Sequence, residues 1–209
     1  MKKTQSNNVI PITQAKKLNP VSTREKIIDA YIELINQQGF AATTHKQLAE
    51  RVKVSSSTIY YHFAKKTDLY EALFDHAHKK ILRLIDDDDM FTGKLEARVD
   101  LLTSLSWDFF QSEPYLASLE IRIATRNDQI MPGASEVTEH YDQKGTERLR
   151  QILAGNNLND RELWEALTYA RISLVGLTYE TIRNPKLANI GDYLSRISRN
   201  TFEMLKPPD

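Results

Sequence analysis

Residues 39–69 have the sequence GFAATTHKQLAERVKVSSSTIYYHFAKKTDL, and this stretch decides the fold. Two short helical patterns are separated by a tight turn and followed by an aromatic and basic segment, which is the layout of a helix-turn-helix. Thr44 and Gln47 have the spacing of a capping box, in which a hydroxyl and a carboxamide satisfy the first free amides of a helix. We therefore expect a helix to begin after Thr44, with an apolar face that includes Leu48 and Val52.

The second helix of this motif has an unusual composition for a packing element. Ser55 is a favourable N-cap, and the helix that follows carries one inward-facing aliphatic side chain, Ile59. Nearly every other position is a small hydroxyl or a phenol. Small hydroxyls let a helix enter a DNA groove, and hydroxyls and phenols can donate to phosphates or base edges. The motif therefore indicates a DNA-binding protein.

The same region resembles the N-terminal DNA-binding domain of the TetR/AcrR family of transcriptional regulators, over about a quarter of the chain. The residues that carry the resemblance are Gly39, Phe40, Thr43, Thr44, Leu48, Ala49, Val54, Ser55, Thr58, Ile59, Tyr60, His62, Phe63, Lys66 and Leu69. The resemblance implies an all-α protein with an N-terminal three-helix helix-turn-helix domain. It also implies a larger C-terminal helical domain for effector binding and dimerisation.

Two positions depart from the pattern of that family. Lys53 stands in the turn between the two helices, where the family often has Gly, so this lysine is expected to adopt a left-handed or otherwise costly backbone conformation. Ser57 stands where the family often has Gly or Pro. Because Ser57 changes the side chain presented to DNA, the resemblance does not imply a particular operator sequence.

The candidate DNA-contacting residues of the motif fall into three groups. Thr44 begins the first motif helix, where its hydroxyl or backbone amide can donate to a phosphate. Candidates for reading base edges are Ser55, Ser56, Ser57 and Thr58. Candidates for phosphate or thymine-methyl contacts are Tyr60, Tyr61 and His62, and further phosphate contacts are expected from Lys53 and Lys66. For Ser55, a purely capping role is an equally supported alternative. The expected core residues are Phe40, Leu48, Ala49, Ile59 and Phe63.

Charge is distributed unevenly along a chain of zero net charge. Residues 1–66 carry 11 Lys and Arg against four Asp and Glu, whereas residues 67–209 carry 17 against 24. A basic end joined to an acidic remainder favours nucleic-acid binding by the basic end. Residues 1–21 are polar, and we predict a disordered basic arm there. This arm is either a loose tail or an extension that reaches the minor groove.

The rest of the chain predicts further helices. Gly and Pro are scarce, at seven each, and aliphatic residues recur at spacings of three and four. Residues 22–68 are assigned to the helix-turn-helix domain and residues 69–209 to the C-terminal domain. One helix is expected from Ser22 or Thr23 to Gly39, and another from Lys65 or Lys66. The later helices are expected over 95–111, 115–124, 137–153 and 160–183, with a last one carrying Ile190 to Leu205.

The last two predicted helices bear on assembly. The helix over 160–183 is apolar around much of its circumference, and an amphipathic helix follows it. The family resemblance implies that these two helices pack against their copies in a homodimer. The alternative is that their apolar faces only close the core of the monomer. We favour the dimer for the pair, because a dimer presents two DNA-binding domains to a two-fold symmetric operator.

A small-molecule pocket in the C-terminal domain is implied by the resemblance alone. The residues that could line it are Trp107, Phe110, Tyr115, Glu120, Ile121, Met131, Trp164, Leu167, Tyr169 and Arg171. An aromatic stripe at helical spacing is also typical of ordinary core, and that alternative stays open. Charged residues within apolar stretches, which are either buried in pairs or bind a charged ligand head, are Glu120, Arg122, Arg126 and Arg171.

Catalysis and metal binding are not expected. The chain has no Cys, no Gly-rich phosphate loop and no serine nucleophile motif. His76 and His78 lie about 200° apart around a helix and cannot share a metal without distortion. His140 and Asp142 could hold a divalent ion, but a polar helix face is the favoured interpretation. No apolar run of about 18 residues and no signal peptide are recognised, so a cytoplasmic location is expected.

The sequence therefore predicts a homodimeric repressor that a small-molecule effector releases from a palindromic operator. One alternative is a protein of the same fold that binds DNA under control of a protein partner, as a nucleoid or division-linked factor. Another is a helical adaptor with a vestigial DNA-binding domain, which the intact Tyr60, His62 and Lys66 disfavour. A closed apolar cavity in the C-terminal domain would favour the effector-controlled regulator, and a filled core with an exposed groove would favour a protein-partner role.

Overall fold

The computed structural model describes residues 21–87, 91–125, 134–153 and 159–206, and gives only the helical backbone of residues 134–142. Within these ranges the chain is all-α. The helices are α1 Thr23–Gln38, α2 His45–Val52, α3 Ser56–His62, α4 Lys66–Ile85, α5 Leu95–Phe110, α6 Glu113–Thr125, α7 Ala134–Ile152, α8 Asp160–Arg183 and α9 Ile190–Met204. The predicted arm before Val21, the pocket candidate Met131, the charged candidate Arg126, and the side chains of His140 and Asp142 lie outside the described residues.

Local capping explains where the first two helices begin. Ser22 caps α1 in a capping box with Glu25, whose pKa is held below its ordinary value by the hydrogen bonds from Ser22. The predicted box at α2 is confirmed: the Thr44 N–H donates to Gln47 Oε1 at 2.9 Å, and the Gln47 N–H donates to Thr44 Oγ1 at 3.3 Å. The two boxes fix the start of both helices by satisfying amides that lack an intrahelical partner.

The turn between α2 and α3 confirms the expectation for Lys53. This residue has φ 59° and ψ 47°, in the left-handed region that glycine adopts most readily. Its N–H donates to the carbonyl of Glu50 at 3.3 Å, and the Val54 N–H donates to the carbonyl of Ala49 at 3.0 Å. These bonds reverse the chain sharply. The short turn therefore sets the angle between α2 and α3.

The N-terminal helices share a core with α6. Leu48, Ala49, Ile59 and Phe63 are buried as predicted, whereas Phe40 is only partly buried against them. The same cluster contains residues from α1 and α4, and also Ala117 and Ile121 of α6. Since α4 runs without a break from the helix-turn-helix into the following bundle, the first domain and the bundle are joined by packing as well as by the chain.

The C-terminal domain is a helical bundle in which α5, α8 and α9 pack against one another. The Ser198 hydroxyl on α9 donates to the Asp100 carboxylate on α5, and Gln111 Nε2 donates to Thr178 Oγ1 of α8 at 2.8 Å. The helix predicted over 115–124 begins earlier, at Glu113, because Pro114 lies in the first turn, where an N–H has no intrahelical acceptor. None of the described helices is both long and apolar enough to span a membrane.

Candidate nucleic-acid interface and the cavity behind it

The third helix exposes its hydroxyls and phenols. Ile59 is fully buried beneath α3, so the opposite side of the helix faces outward. The side chain of Tyr61 is 85% exposed and that of Tyr60 is 53% exposed, while Ser56 and Ser57 are exposed at the start of the helix. Two large exposed phenols on a helix of this length are a feature that packing within the chain does not explain. This face can enter a groove and donate hydrogen bonds.

A hydroxyl cluster organises the N-terminus of α3. Ser55 Oγ accepts a hydrogen bond from the Thr58 N–H at 3.2 Å, which confirms its predicted capping role. The same oxygen lies 2.7 Å from Ser57 Oγ and 2.8 Å from Thr58 Oγ1. Ser56 is exposed outside this cluster, Ser57 is exposed while hydrogen-bonded to Ser55, and the Thr58 side chain is half-buried.

Lys66 has a structural contact that the sequence did not reveal. Its ammonium donates to the carbonyl oxygen of Phe40 at 3.3 Å and lies 4.0 Å from the centre of the Phe40 ring. Partial burial lowers the pKa of Lys66 below its ordinary value. Lys66 thereby ties the start of α4 to the loop between α1 and α2. An ammonium has three donors, so this bond leaves others for a further acceptor.

A pocket with a mostly polar lining lies between the start of α2 and the end of α3. The residues around it include Tyr31, Thr44, His45, Tyr60 and Lys66. His45 packs against the Tyr60 ring at a centroid distance of 4.8 Å, and its Nε2 is buried without a partner in the described part of the chain. Burial, and then the charge of Lys66, lower the pKa of His45. The sequence gives no signal for the buried position of His45 beyond its place in the capping segment.

The remaining DNA-contact candidates surround this face. Lys53 is exposed at the turn before α3, and Thr44 is exposed at the start of α2. His62 is half-buried at the end of α3, with its ring edge-on to Tyr61 at 5.2 Å between centroids. The ten candidates lie on α2, α3, the turn between them and the start of α4, and three of them, Thr44, Tyr60 and Lys66, border the same pocket.

Glu120 lies on the opposite side of α6 from the predicted pocket. Its Oε1 accepts a hydrogen bond from the Phe40 N–H at 3.3 Å, and a Cβ on Gly39, which has φ 84°, would meet the same oxygen at 3.3 Å. Nearby, Asn36 Nδ2 donates to the Glu113 carbonyl at 3.1 Å. The pocket assignment of Glu120 is therefore corrected: this carboxylate holds α6 against the loop that precedes α2.

The C-terminal domain contains a cavity of about 380 Å³ between α4, α5, α6, α7 and α8. Of the predicted pocket residues, those in its lining are Phe110, Tyr115, Trp164, Leu167 and Arg171. Trp107 and Tyr169 are not among them. Trp107 packs against the cluster of Phe110, Tyr115 and Leu174, and the Tyr169 hydroxyl accepts a hydrogen bond from Asn200 Nδ2 at 2.8 Å. Ile121 also lies elsewhere, since it is fully buried in the N-terminal core.

Comparison with known proteins agrees with this geometry. Residues 27–73 match the family model described as bacterial regulatory proteins, tetR family. The match assigns residues 27–73 to the N-terminal DNA-binding domain of that family. It is 43% identical over 51 residues to the uncharacterized HTH-type transcriptional regulator YvkB of Bacillus subtilis, covering 24% of this chain and 27% of that protein. It is 33% identical over 90 residues to IcaR of Staphylococcus aureus, the HTH-type negative transcriptional regulator of the biofilm operon icaADBC, covering 41% and 45%.

The fold of most of the chain is also found in solved structures. A transcriptional regulator from Rhodococcus sp. Rha1 superposes with a TM-score of 0.70 at 18% identity, covering 88% of this chain and 96% of that one. The alignments with the two curated regulators span less than half of either of them. The family model thus covers residues 27–73, while the structural match extends over 88% of the chain.

The last two helices carry exposed apolar side chains. On α8, Ile172 is 63% exposed and Ile182 is 56% exposed, with Tyr179 between them. On α9, the corresponding side chains are Tyr193 and Met204. The spacing of seven and three residues on α8 puts its three side chains on one face. Apolar side chains that recur along one face mark a surface that another molecule can cover.

Proposed function

We propose that this chain is a homodimeric, sequence-specific DNA-binding regulator that represses transcription in the cytoplasm until a small-molecule effector releases it from a palindromic operator. The observation that carries the proposal is the outward face of α3, where Tyr60, Tyr61, Ser56 and Ser57 are exposed over a buried Ile59. A helix with small residues at its start and phenols further along fits the major groove.

Base reading is assigned to the first turn of α3, and backbone binding to the residues around it. Ser56 and Ser57 carry the exposed hydroxyls closest to the groove floor, whereas Ser55 and Thr58 mainly organise the cap. Tyr60, Tyr61 and His62 then lie along the groove walls, within reach of phosphates or a thymine methyl. Hydroxyl contacts to base edges carry sequence information, so α3 sets the operator preference.

Phosphate binding is assigned to both ends of the motif. Thr44 presents the free N-terminal end of α2, where the helix dipole favours an anion. Lys66 stands beside that end, and its bond to Phe40 fixes the ammonium while leaving donors for a phosphate oxygen. Lys53, in the turn between α2 and α3, supplies a further cation. Binding through these cations weakens as salt rises, because DNA releases counterions on association.

Dimerisation is assigned to the exposed apolar face of α8 and α9. Ile172, Tyr179 and Ile182 lie on one face of α8, and Gly176 between them leaves open space around its Cα. A small residue within an apolar stripe permits close approach of a second helix. Packing α8 and α9 against their copies buries this face and presents two α3 helices to a two-fold symmetric operator.

Effector control is assigned to the cavity behind α4. A cavity of about 380 Å³ is within the range of ligand sites, roughly 300–1,000 Å³. Open space of this size between the helices supports control by an effector, whereas a filled core with an exposed groove would support control by a protein partner. Tyr115, which lines the cavity, and Glu120, which accepts a hydrogen bond from the Phe40 N–H, both belong to α6. A ligand that shifts α6 therefore acts on the loop before α2, which is a coupling between two sites.

The test is a genomic DNA selection with purified protein at fixed near-physiological salt. The wild type is compared with Tyr61→Ala, which removes the most exposed phenol of α3, and with Tyr60→Ala/Lys66→Ala. Arg161→Ala serves as the matched control, because Arg161 is an exposed cation of α8. We expect a short palindrome that the wild type and control enrich and the α3 variants lose. Only weak, salt-sensitive binding with no enriched site would contradict the proposal.

A further inference from the structure

The charge of the cavity lining is one-sided. Among the residues that line it, Arg122 of α6 and Arg171 of α8 are cations, and the described lining contains no Asp or Glu. His78 also lines the cavity, but its Nδ1 lies 2.9 Å from the Phe74 carbonyl oxygen and its ring stacks on Phe74 at 3.8 Å. His78 is thus engaged within α4. The groups that can meet a ligand charge are the two guanidinium groups.

Neither guanidinium is matched by a carboxylate of the described chain. No ion pair within 4.0 Å joins Arg122 or Arg171 to an Asp or Glu in the described ranges. Arg122 is half-buried, with its guanidinium carbon 5.6 Å from the centre of the Phe74 ring. Both arginines line the same cavity as the phenol of Tyr115. Removing a guanidinium from water without an anionic partner is unfavourable, and a ligand anion would offset that cost.

The remainder of the lining is largely apolar. Val99, Leu102, Phe110 and Leu174 are buried and contribute to the wall on the side of α5 and α8. Such a wall stabilises a hydrocarbon or aromatic group by removing it from water. The cavity thus combines two cationic side chains that suit an anionic group with apolar walls that suit the rest of a ligand.

We propose that the cavity binds an amphiphile with one carboxylate head and an apolar tail, and that Arg122 and Arg171 bind the head. This assignment rests on the proposed function, because it names the chemical class of the effector for the same cavity. Arg122 is the main head-binding residue, since it is partly desolvated and fixed against Phe74. Arg171 is more exposed and contributes less. An aromatic or alkyl cation meets like charge in this cavity and does not bind.

Isothermal titration of the full chain tests the proposal with matched ligands. The probes are octanoate and decanoate, the corresponding alcohols, the corresponding alkyltrimethylammonium ions, and ethidium as an aromatic cation. We expect at least one carboxylate to bind about tenfold or more tightly than its alcohol, the ratio that one charge-assisted pair contributes. The cations should show no saturable binding. Binding of alcohol and carboxylate with equal affinity, tighter binding of a cation, or no binding of either carboxylate would overturn the proposal.

Two arginine variants separate head recognition from general charge. Arg122→Gln should remove the preference for the carboxylate while leaving affinity for the alcohol unchanged. Arg161→Gln, an exposed arginine of α8 outside the lining, should bind like the wild type. Circular dichroism checks that both variants fold. An equal loss in the two variants, or a preference that persists in Arg122→Gln, would show that Arg122 does not bind the head.

Operator binding distinguishes this inference from the proposed function. Fluorescence anisotropy with the selected palindrome is measured with and without the tightest-binding carboxylate. Selective carboxylate binding that leaves operator affinity unchanged overturns effector release but retains the anion-binding cavity. Specific operator binding by a protein that binds neither carboxylate overturns the ligand class alone. A fall in operator affinity at ligand concentrations near the titration midpoint supports both.

Discussion

Glu120 Oε1 accepts a hydrogen bond from the backbone N–H of Phe40 at 3.3 Å, across 80 residues of sequence. Two residues further along α6, Arg122 lines the cavity. Residues two apart on a helix point in directions about 200° apart, so one side of α6 contacts the loop before α2 and the other side lines the cavity. Helix α6 therefore physically connects the cavity to the loop before α2.

Removing the Glu120 contact should weaken both stability and coupling. Glu120→Ala leaves the Phe40 N–H without its acceptor, and we expect the free energy of unfolding to fall by about 1 kcal/mol. The response of operator affinity to a cavity ligand should also decrease, since α6 no longer holds the loop before α2. Urea unfolding and anisotropy titrations measure the two effects. Glu120→Gln keeps an oxygen acceptor and is the matched control; a loss as large as that of Glu120→Ala would contradict this role.

Local features of the helix-turn-helix domain were predictable because their causes lie within a few residues of sequence. The capping boxes depend on hydroxyl and carboxyl or carboxamide groups three residues apart, and the left-handed Lys53 follows from a helix that must stop before Ser55. The exposed phenols of α3 follow from one buried position, Ile59. None of these conclusions depends on which helix packs against which.

The cavity was less predictable because it depends on how the helices pack. Glu120 and Arg122 both interrupt an apolar stretch, and the sequence did not say which of them faces α1. Trp107 is an aromatic residue of the kind that lines pockets, yet it packs against the cluster of Phe110, Tyr115 and Leu174. The contact of Lys66 with Phe40 joins residues 26 apart and closes a loop that has no helical periodicity to interpret.

Lys53 should be replaceable by glycine with a gain in stability. Its φ of 59° costs a residue with a Cβ roughly 1 kcal/mol relative to glycine, so Lys53→Gly should raise the free energy of unfolding by about that amount. Lys79→Gly, within α4, should lower it by about 1 kcal/mol because a regular helix disfavours glycine. Urea denaturation measures both changes. If the two substitutions shift stability in the same direction, the backbone strain assigned to Lys53 is wrong.

The apolar face of α8 should control assembly. Ile172→Asp and Ile182→Asp introduce charges at side chains that are 63% and 56% exposed in the single chain, so the monomer should fold normally. Burial of these carboxylates in a dimer is costly, and we expect sedimentation velocity to report monomers at concentrations where the wild type is dimeric. Tyr61→Asp, on the exposed face of α3, should remain dimeric. Variants of α8 that sediment like the wild type would exclude this face from the interface.

The titration of His45 should make stability depend on pH. Burial and the Lys66 charge lower its pKa in the folded state below the ordinary value of 6.5, so the unfolded state binds more protons as pH falls through that value. Stability therefore decreases on acidification from about pH 7 to below 6, and this contribution is fully present only above the unfolded pKa. Chemical denaturation of wild type and His45→Asn at pH 7.5 and 5.5 measures the difference. The variant should lose less stability than the wild type over this interval, whereas parallel losses would assign the acid sensitivity to other groups.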